Sequence, residues 1–199
     1  MKRKTLFLSI FAGILTAFAV SMITFSRGCS DIRSDILRLH VIANSDSAED
    51  QELKIKVRDA VLKEGKDIFD GSMDIQRAQS EIIREKGRLV KAAEKTVREN
   101  GFDYPVDILV TKEFFPTRSY GNLTVPAGKY EAVKVTIGES AGHNWWCVMF
   151  PPLCLPAAGE KDADIYFDEN ERQIIRQDPQ YDFRFKIVEW YEELKEKYF

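Results

Sequence analysis

The feature that most constrains this chain is an uncharged stretch of 22 residues near its amino terminus, from Thr5 to Ser26. Three basic residues precede it, in the segment Lys2–Lys4, and Leu, Ile, Phe and Ala dominate its composition. A basic cluster followed by an apolar run is the layout of an export signal or a membrane anchor. By the positive-inside rule the basic cluster stays in the cytoplasm, so the sequence predicts that everything after Arg27 lies across the membrane.

The sequence is compatible both with cleavage of this segment and with its retention as a membrane anchor. The stretch is long enough to span a hydrocarbon core of about 30 Å as a helix, in which case residues 5–26 contact the membrane. Alternatively, Ala17–Ala19 (Ala-Phe-Ala) offers a small-x-small cleavage site within the stretch. The sequence therefore predicts two regions. Residues 1–29 form a signal peptide or membrane anchor, and residues 30–199 form a single extracytoplasmic domain.

The net charge of residues 30–199 argues against one class of partner, nucleic acids. The whole chain has 29 Lys and Arg against 32 Asp and Glu. The first 29 residues carry four basic residues and no acidic residue, so the remainder has a net charge of −7. Nucleic-acid binders depend on clustered Lys and Arg that meet phosphates. The sequence therefore predicts no nucleic-acid partner.

The pattern after the apolar stretch predicts a strand followed by two long helices. Ile36–Ala43 is short, largely apolar and rich in β-branched residues, and the turn-forming segment Asn44–Asp46 ends it. Ser47 is placed to cap a helix whose apolar residues recur at helical spacing. A second helix is predicted between Asp74 and Asn100, because apolar residues again recur with the helical period up to a stop signal.

The second half of the chain changes to the period of β-strands. Val106–Val110, Val133–Ile137 and Trp145–Phe150 are predicted as three strands of one antiparallel sheet, which the first strand is expected to join. A terminal helix is predicted from the apolar stripe of Ile187, Trp190, Leu194 and Tyr198. Together these elements predict an α+β fold: an antiparallel or mixed sheet with two long helices packed on one face, and a C-terminal helix.

The candidate chemistry is sparse. A cysteine nucleophile needs a base within reach, and only His40 and His143 are available. In a strand, His143 would lie about 13 Å from Cys147. The spacing of His143, Cys147 and Cys154 matches no usual zinc cluster. The sequence also has no Gly-rich phosphate loop, G-x-S-x-G elbow or H-E-x-x-H motif. We therefore predict no catalytic residue, no metal and no cofactor.

Cys147 and Cys154 form the cysteine pair of the predicted exported domain. Six residues separate them, and an exported domain meets a thiol-poor space in which disulfides persist. A Cys147–Cys154 disulfide is one interpretation. Two buried reduced thiols are the other, and the sequence leaves both open.

Trp145 and Trp146 are adjacent, so in a strand their side chains point to opposite faces. One is expected in the core, and the other lies on the second face of the sheet. An exposed indole there would anchor a partner. Coverage of both faces by helices and a loop is the alternative.

Two ordered blocks of residues resemble the stage II sporulation protein R family. The first block is Leu37–Ser47 (Leu-Arg-Leu-His-Val-Ile-Ala-Asn-Ser-Asp-Ser), followed by Asp50, Gln51 and Lys54–Asp59. The second block, in the family's order, consists of Phe115–Arg118, Tyr120, Gly121, Pro126–Gly128, Gly142–Cys147 and Phe150–Cys154. The similarity runs from about Leu37 to Leu155.

The resemblance implies a developmental signal of endospore-forming bacteria, made in the forespore and secreted into the space between the forespore and mother-cell membranes. There it would activate a membrane-embedded aspartic protease of the mother cell, which then processes a sigma-factor precursor. Residues 30–199 would be a noncatalytic signalling domain. A secreted cysteine-dependent hydrolase of the cell envelope is the alternative, and it alone needs Cys147 for turnover. A structural envelope protein held by its amino-terminal helix is a third interpretation.

The family does not fix which residues contact the protease. We predict contact around the turn after the first strand and at the paired tryptophans, because polar and aromatic groups concentrate there. The predicted partner-binding residues are Arg38, His40, Asn44, Asp46, Asp50, Gln51, Lys54, Arg58, Trp145 and Trp146.

Overall fold

The structure is a computed structural model that describes residues 2–66, 75–121, 123–151, 166–176 and 182–198. Its elements, in chain order, are α1 (Lys2–Asp35), β1 (Leu37–Ile42), α2 (Ala48–Gly65), α3 (Ile75–Glu99), β2 (Val106–Phe115), β3 (Arg118–Tyr120), β4 (Leu123–Val125), β5 (Gly128–Ile137), β6 (Asn144–Phe150), α4 (Glu169–Ile175) and α5 (Asp182–Tyr198). The predicted α+β class is confirmed.

The chain divides into two compact units. We call the first the sheet unit, which comprises Ser34–Phe115 and Lys129–Phe167. The second, the terminal unit, comprises Met1–Arg33, Pro116–Gly128 and Asp168–Phe199. The division into residues 1–29 and 30–199 stays a prediction.

The sheet unit is built on a four-stranded sheet with the order β2-β5-β1-β6. β1 runs parallel to β5 and antiparallel to β6, so the sheet is mixed. The expectation that β1 joins the sheet is confirmed. Of the two predicted sheet types the mixed one is observed, because β1 lies between β5 and β6 and runs parallel to β5. The burial of β1 gives the physical reason: its first five residues are all buried, as in an inner strand covered on both faces.

Helices α2 and α3 pack on one face of this sheet and close the core. β1 contributes Leu37, Leu39 and Val41 to the core, where they meet apolar residues of both helices. The buried positions of α3 repeat at helical spacing, as the sequence predicts: Ile75, Ala78, Ile82, Leu89, Ala93 and Val97. The two long helices on one face are therefore confirmed.

In the terminal unit, α1 packs with α5. The α1 helix continues to Asp35, beyond the end of the uncharged stretch. Phe25 meets Phe185 edge to face, with ring centres 5.1 Å apart. Nearer the end of α1, the Arg33 guanidinium lies 3.2 Å from a carboxylate oxygen of Glu192. Toward its amino terminus, by contrast, the large apolar side chains of α1 are exposed, and the helix is long and apolar enough to cross a membrane by its length and composition.

The terminal helix is confirmed, but the predicted buried stripe on it is wrong. The buried face of α5 consists of Phe185, Val188, Glu189 and Glu192. Trp190, Leu194 and Tyr198 are exposed instead. The reason is that two glutamates on the buried face have partners: Glu192 pairs with Arg33, and Glu189 accepts a hydrogen bond from the Thr117 amide at 3.3 Å. A buried acid with such a partner is tolerated, and a pattern of apolar residues alone does not reveal it.

Candidate partner-binding site

The turn between β1 and α2 is organised around the buried carboxylate of Asp50. Ser47 caps α2, and its hydroxyl accepts a hydrogen bond from the Asp50 amide at 3.1 Å. The Asp50 carboxylate accepts hydrogen bonds from the side-chain amide of Asn44 at 2.8 Å and from the Ser45 hydroxyl at 2.5 Å. Asp50 is only 3% exposed. The side chains of Asn44 and Asp50 therefore hold the turn from inside.

The electrostatics of Asp50 follow from these contacts. Burial opposes its ionisation, but the hydrogen bonds from Ser45 and Asn44 outweigh that effect and hold the pKa of Asp50 below its ordinary value. Next to it, desolvation raises the pKa of Tyr104, and the charge of Asp50 and a hydrogen bond to it add to the increase. Asp50 is thus an ionised carboxylate at neutral pH with a structural role.

The connection between β5 and β6 folds over this turn. The amides of Ala141 and Gly142 donate to the carbonyls of Asn44 and Ala43, at 3.1 and 3.0 Å. Gly142 is required by the close approach, because a Cβ at this position would lie 2.2 Å from the Ser45 carbonyl oxygen. The connection is therefore fixed on the turn by backbone contacts.

This arrangement brings Asp46 and His143 together at the surface. The His143 amide donates to an oxygen of Asp46 at 2.6 Å, and the imidazole Nδ1 bonds to the same oxygen. The hydrogen bond from the His143 backbone is the main cause that lowers the pKa of Asp46. The Asp46 side chain is 54% exposed and that of His143 is 78% exposed. Sequence reasoning placed Asp46 in the site and missed His143, since their contact depends on how the later connection folds.

Lys54 joins the same cluster from the second turn of α2. Its ammonium donates to the Gln51 side chain and, at 2.9 Å, to the His143 carbonyl. Gln51 in turn donates to the Ser45 carbonyl at 2.8 Å. Burial of Lys54 lowers its pKa, and the charge of Asp46 partly opposes that decrease. Lys54 is buried and ties α2 to the start of β6.

Neither tryptophan of β6 is buried, so the expectation that one of them is in the core is wrong. Trp145 pairs with Val41 of β1 and is 37% exposed at the end of the helix-covered face. The Arg58 guanidinium carbon lies 4.7 Å from the centre of its ring. Trp146 pairs with His40 and is half-buried on the other face. β6 enters the core only from Cys147 onward, because its first residues extend past the covered part of the sheet.

Arg38 and His40 also lie on the face opposite the helices. The Arg38 guanidinium carbon is 4.5 Å from the ring centre of Phe115 and 5.1 Å from that of Tyr130, and Arg38 is fully buried. The two ring nitrogens of His40 bond to Glu113 at 2.6 Å and to Asn144 at 2.8 Å. The sequence identified Arg38 and His40 as candidates. It did not reveal the aromatic rings that contact Arg38 or the two side chains that bond to His40.

Glu113 connects His40 to a lysine on the neighbouring strand. Lys134 of β5 donates to its second carboxylate oxygen at 2.7 Å. Burial opposes ionisation of Glu113, but the hydrogen bonds from Lys134 and His40 outweigh it and lower its pKa. We call His40, Glu113, Lys134 and Asn144 the second-face network.

The predicted partner-binding residues thus differ in burial and in position. Arg38, His40, Asp50 and Lys54 are buried, Asn44 is half-buried, and Trp146 is half-buried on the other face of the sheet. The remaining exposed and half-buried residues lie together, with His143, where the turn, α2 and the start of β6 meet. We call this surface the turn patch, and it consists of Asp46, Gln51, Arg58, His143 and Trp145.

The cysteines take different states. Cys147 is 4% exposed and disulfide-bonded, whereas Cys29 is a buried free thiol. Cys154 lies outside the described residues, so its pairing with Cys147 stays a prediction. Within the described part of the chain, no group of three or more His, Cys, Asp and Glu side chains could hold a metal ion. The free Cys147 thiol that a cysteine-dependent hydrolase needs is engaged in a disulfide.

Comparisons with known proteins add a family likeness. The model of the family "Stage II sporulation protein R" matches residues 33–160 of this chain, which include the whole turn patch. A protein of Bacillus subtilis (strain 168) with the name Stage II sporulation protein R is 44% identical over 124 residues. The match covers 62% of this chain and 55% of the relative, so the chain spans about half the length of this relative. No solved structure matches the chain.

Proposed function

Because the chain belongs to the stage II sporulation protein R family, we propose that it is an exported sporulation signal that activates a membrane-embedded aspartic protease of the mother cell. It is made in the forespore and acts in the space between the forespore and mother-cell membranes. The activated protease then processes a sigma-factor precursor. Support for export comes from α1, whose length and composition suit a signal or membrane segment.

The turn patch is the surface that we propose contacts the protease, and its composition is the main observation behind this assignment. It combines an exposed carboxylate, an imidazole, a guanidinium and a half-open indole on a scaffold fixed by Asn44, Asp50 and Lys54. Aromatic and arginine side chains on a rigid surface are typical anchors of protein–protein contacts. Rigidity favours binding because little conformational entropy is lost when the partner docks. We therefore assign protease contact to the residues of the turn patch, and support of the patch to Asn44, Asp50 and Lys54.

The state of Cys147 favours signalling over hydrolysis. A cysteine hydrolase needs a thiolate with a base in hydrogen-bond reach. Cys147 is disulfide-bonded, and the His143 imidazole bonds to Asp46 instead. A signal protein needs a stable surface and no nucleophile.

The test is precursor processing in cells that produce the protease together with this protein. Asp46→Ala and Trp145→Ala remove two exposed anchors of the turn patch. Loss of one anchor costs about 2 kcal/mol, or roughly 30-fold in affinity, so we expect processing to fall strongly at equal exported levels. Lys95→Ala is the matched control, since Lys95 is an exposed side chain on α3, and it should process normally. Normal processing by both patch variants would rule out this surface.

A further inference from the structure

We infer that a cleft in the terminal unit binds the headgroup of an anionic phospholipid. The cleft has a volume of about 480 Å³ and is lined by residues of α1, α4 and α5. Gly28 makes it possible for α4 to lie close to α1, because a Cβ on Gly28 would be 2.3 Å from the Cδ1 atom of Ile174. The cleft lies outside the turn patch, and nothing in the proposed protease contact requires it.

The side chains around the cleft suit a phosphodiester. Arg27 of α1 and Arg184 of α5 line it together with the amide side chains of Asn170 and Gln173. Guanidinium groups donate in a fork geometry that matches phosphate oxygens, and side-chain amides add neutral donors. Asp31 is the acid of the lining and can accept from hydroxyl groups. Two arginines beside one acid fit a phosphate that carries a hydroxylated substituent, as in a glycerol headgroup.

The position of the cleft along α1 matches the depth of headgroups in a bilayer. Arg27 directly follows the uncharged stretch that ends at Ser26, and headgroup phosphates border the hydrocarbon core at that level. Arg184 reaches the same level from α5, because its guanidinium carbon lies 5.8 Å from the ring centre of Phe25. The lining residue of α1 nearest the amino terminus is Ser21, so cleavage after Ala19 would leave the whole cleft in place.

Two aromatic rings neighbour the lining residues of the cleft on the side of the uncharged stretch, since Phe18 lies three residues before Ser21 on α1. In the uncleaved chain, Phe18 and Phe183 stack with ring centres 6.2 Å apart, and both side chains remain about half exposed. Phe18 belongs to the uncharged stretch, and Phe183 directly precedes Arg184. A ligand with a phosphate and acyl chains would contact both surfaces. These exposed rings beside the cleft favour a lipid over a free phosphate.

The test is native mass spectrometry of the full chain released from nonionic detergent micelles. The micelles contain equal amounts of phosphatidylglycerol and phosphatidylcholine, and the retained lipid is identified by mass. We expect selective retention of phosphatidylglycerol by the wild type. In the variant Arg27→Gln/Arg184→Gln, retention should fall by at least about tenfold, because the charged donors to the phosphate are lost.

A matched control removes two positive charges elsewhere. Arg84 and Arg98 are exposed on α3, and Arg84→Gln/Arg98→Gln should retain the lipid like the wild type. Arg27→Lys/Arg184→Lys keeps the charge and should retain an intermediate amount, and far-ultraviolet circular dichroism verifies that each variant is folded. Equal retention of both lipids, or unchanged retention by the folded Arg27→Gln/Arg184→Gln variant, would overturn the inference. Full displacement of the lipid by an equal concentration of glycerol 3-phosphate would overturn the lipid assignment and point to a free phosphate.

Discussion

The buried carboxylate of Asp50 gives the sharpest prediction about how the turn patch is held. Asp50→Ala removes the acceptor of the hydrogen bonds from Asn44 and Ser45, two half-buried donors. Each hydrogen bond to a charged group contributes about 1.5–3 kcal/mol, so loss of the two should lower the free energy of unfolding by about 3–6 kcal/mol at pH 7. Asp50→Asn keeps the shape and one acceptor oxygen, and it should cost less.

The pH dependence follows from the lowered pKa of Asp50. Its ionised form is favoured in the folded state, so its contribution to stability is present above the unfolded value of about 3.9 and is lost as the pH falls through the folded pKa. Wild type and Asp50→Asn should therefore converge in stability below about pH 4.

The assay is urea unfolding of the full chain in nonionic detergent, followed by tryptophan fluorescence and circular dichroism. Glu52→Ala is the control, because Glu52 lies on the same helix, is exposed and pairs with Lys56 at 2.7 Å. Loss of such a surface pair costs about 0–1 kcal/mol. If Asp50→Ala were no more destabilising than Glu52→Ala, the assignment of Asp50 as the support of the turn would be refuted.

Three further predictions address the close contact over the turn, the second-face network and the disulfide. Gly142→Ala should lower the free energy of unfolding by about 1–3 kcal/mol, because the added Cβ would meet the Ser45 backbone. The control Gly87→Ala, in open space on α3, should raise the free energy of unfolding by up to about 1 kcal/mol. Equal effects of the two substitutions in urea titrations would contradict this prediction. Glu113→Gln should destabilise the folded protein at neutral pH. Because the pKa of Glu113 is lowered in the folded state, the difference in stability between this variant and the wild type should vanish as the pH falls below about 4. A stability difference that does not change with pH would count against the bond to His40. Cys147→Ser should lower the free energy of unfolding by about 2–4 kcal/mol and leave protease activation intact in the folded protein. Loss of protease activation by the folded variant would instead favour the cysteine-dependent hydrolase.

The elements that the sequence predicts correctly are those whose pattern is local. The Ser47 cap and the helical spacing in α3 depend on residues within one or two turns of each other. The order of the strands depends instead on distant pairing, and so the position of β1 between β5 and β6 could not be deduced from neighbouring residues. The buried face of α5 was mispredicted for a similar reason, since the partner that makes Glu192 acceptable there is Arg33 of α1.

The candidate site shows the same division. Asn44 and Asp46 belong to the turn after β1, and Asp50 to the first helical turn that follows it, so local turn and capping chemistry identifies all three. His143 is 97 residues away from Asp46 in the chain, and only the folded connection brings the two together. Gly142 was the available signal, because a glycine before the polar start of β6 is consistent with a close backbone approach.

The central claim is that this protein, once exported, activates the protease. The most direct measurement is sigma-factor precursor processing in cells that produce the protease with one of three forms: the wild type, a form lacking residues 2–26, and a form whose residues 2–19 are replaced by an unrelated cleavable export signal. We predict processing with the wild type, none with the deletion, and restored processing with the replacement. Failure of the exported, folded wild type to cause processing, or full processing by the deleted form inside the cytoplasm, would contradict the claim.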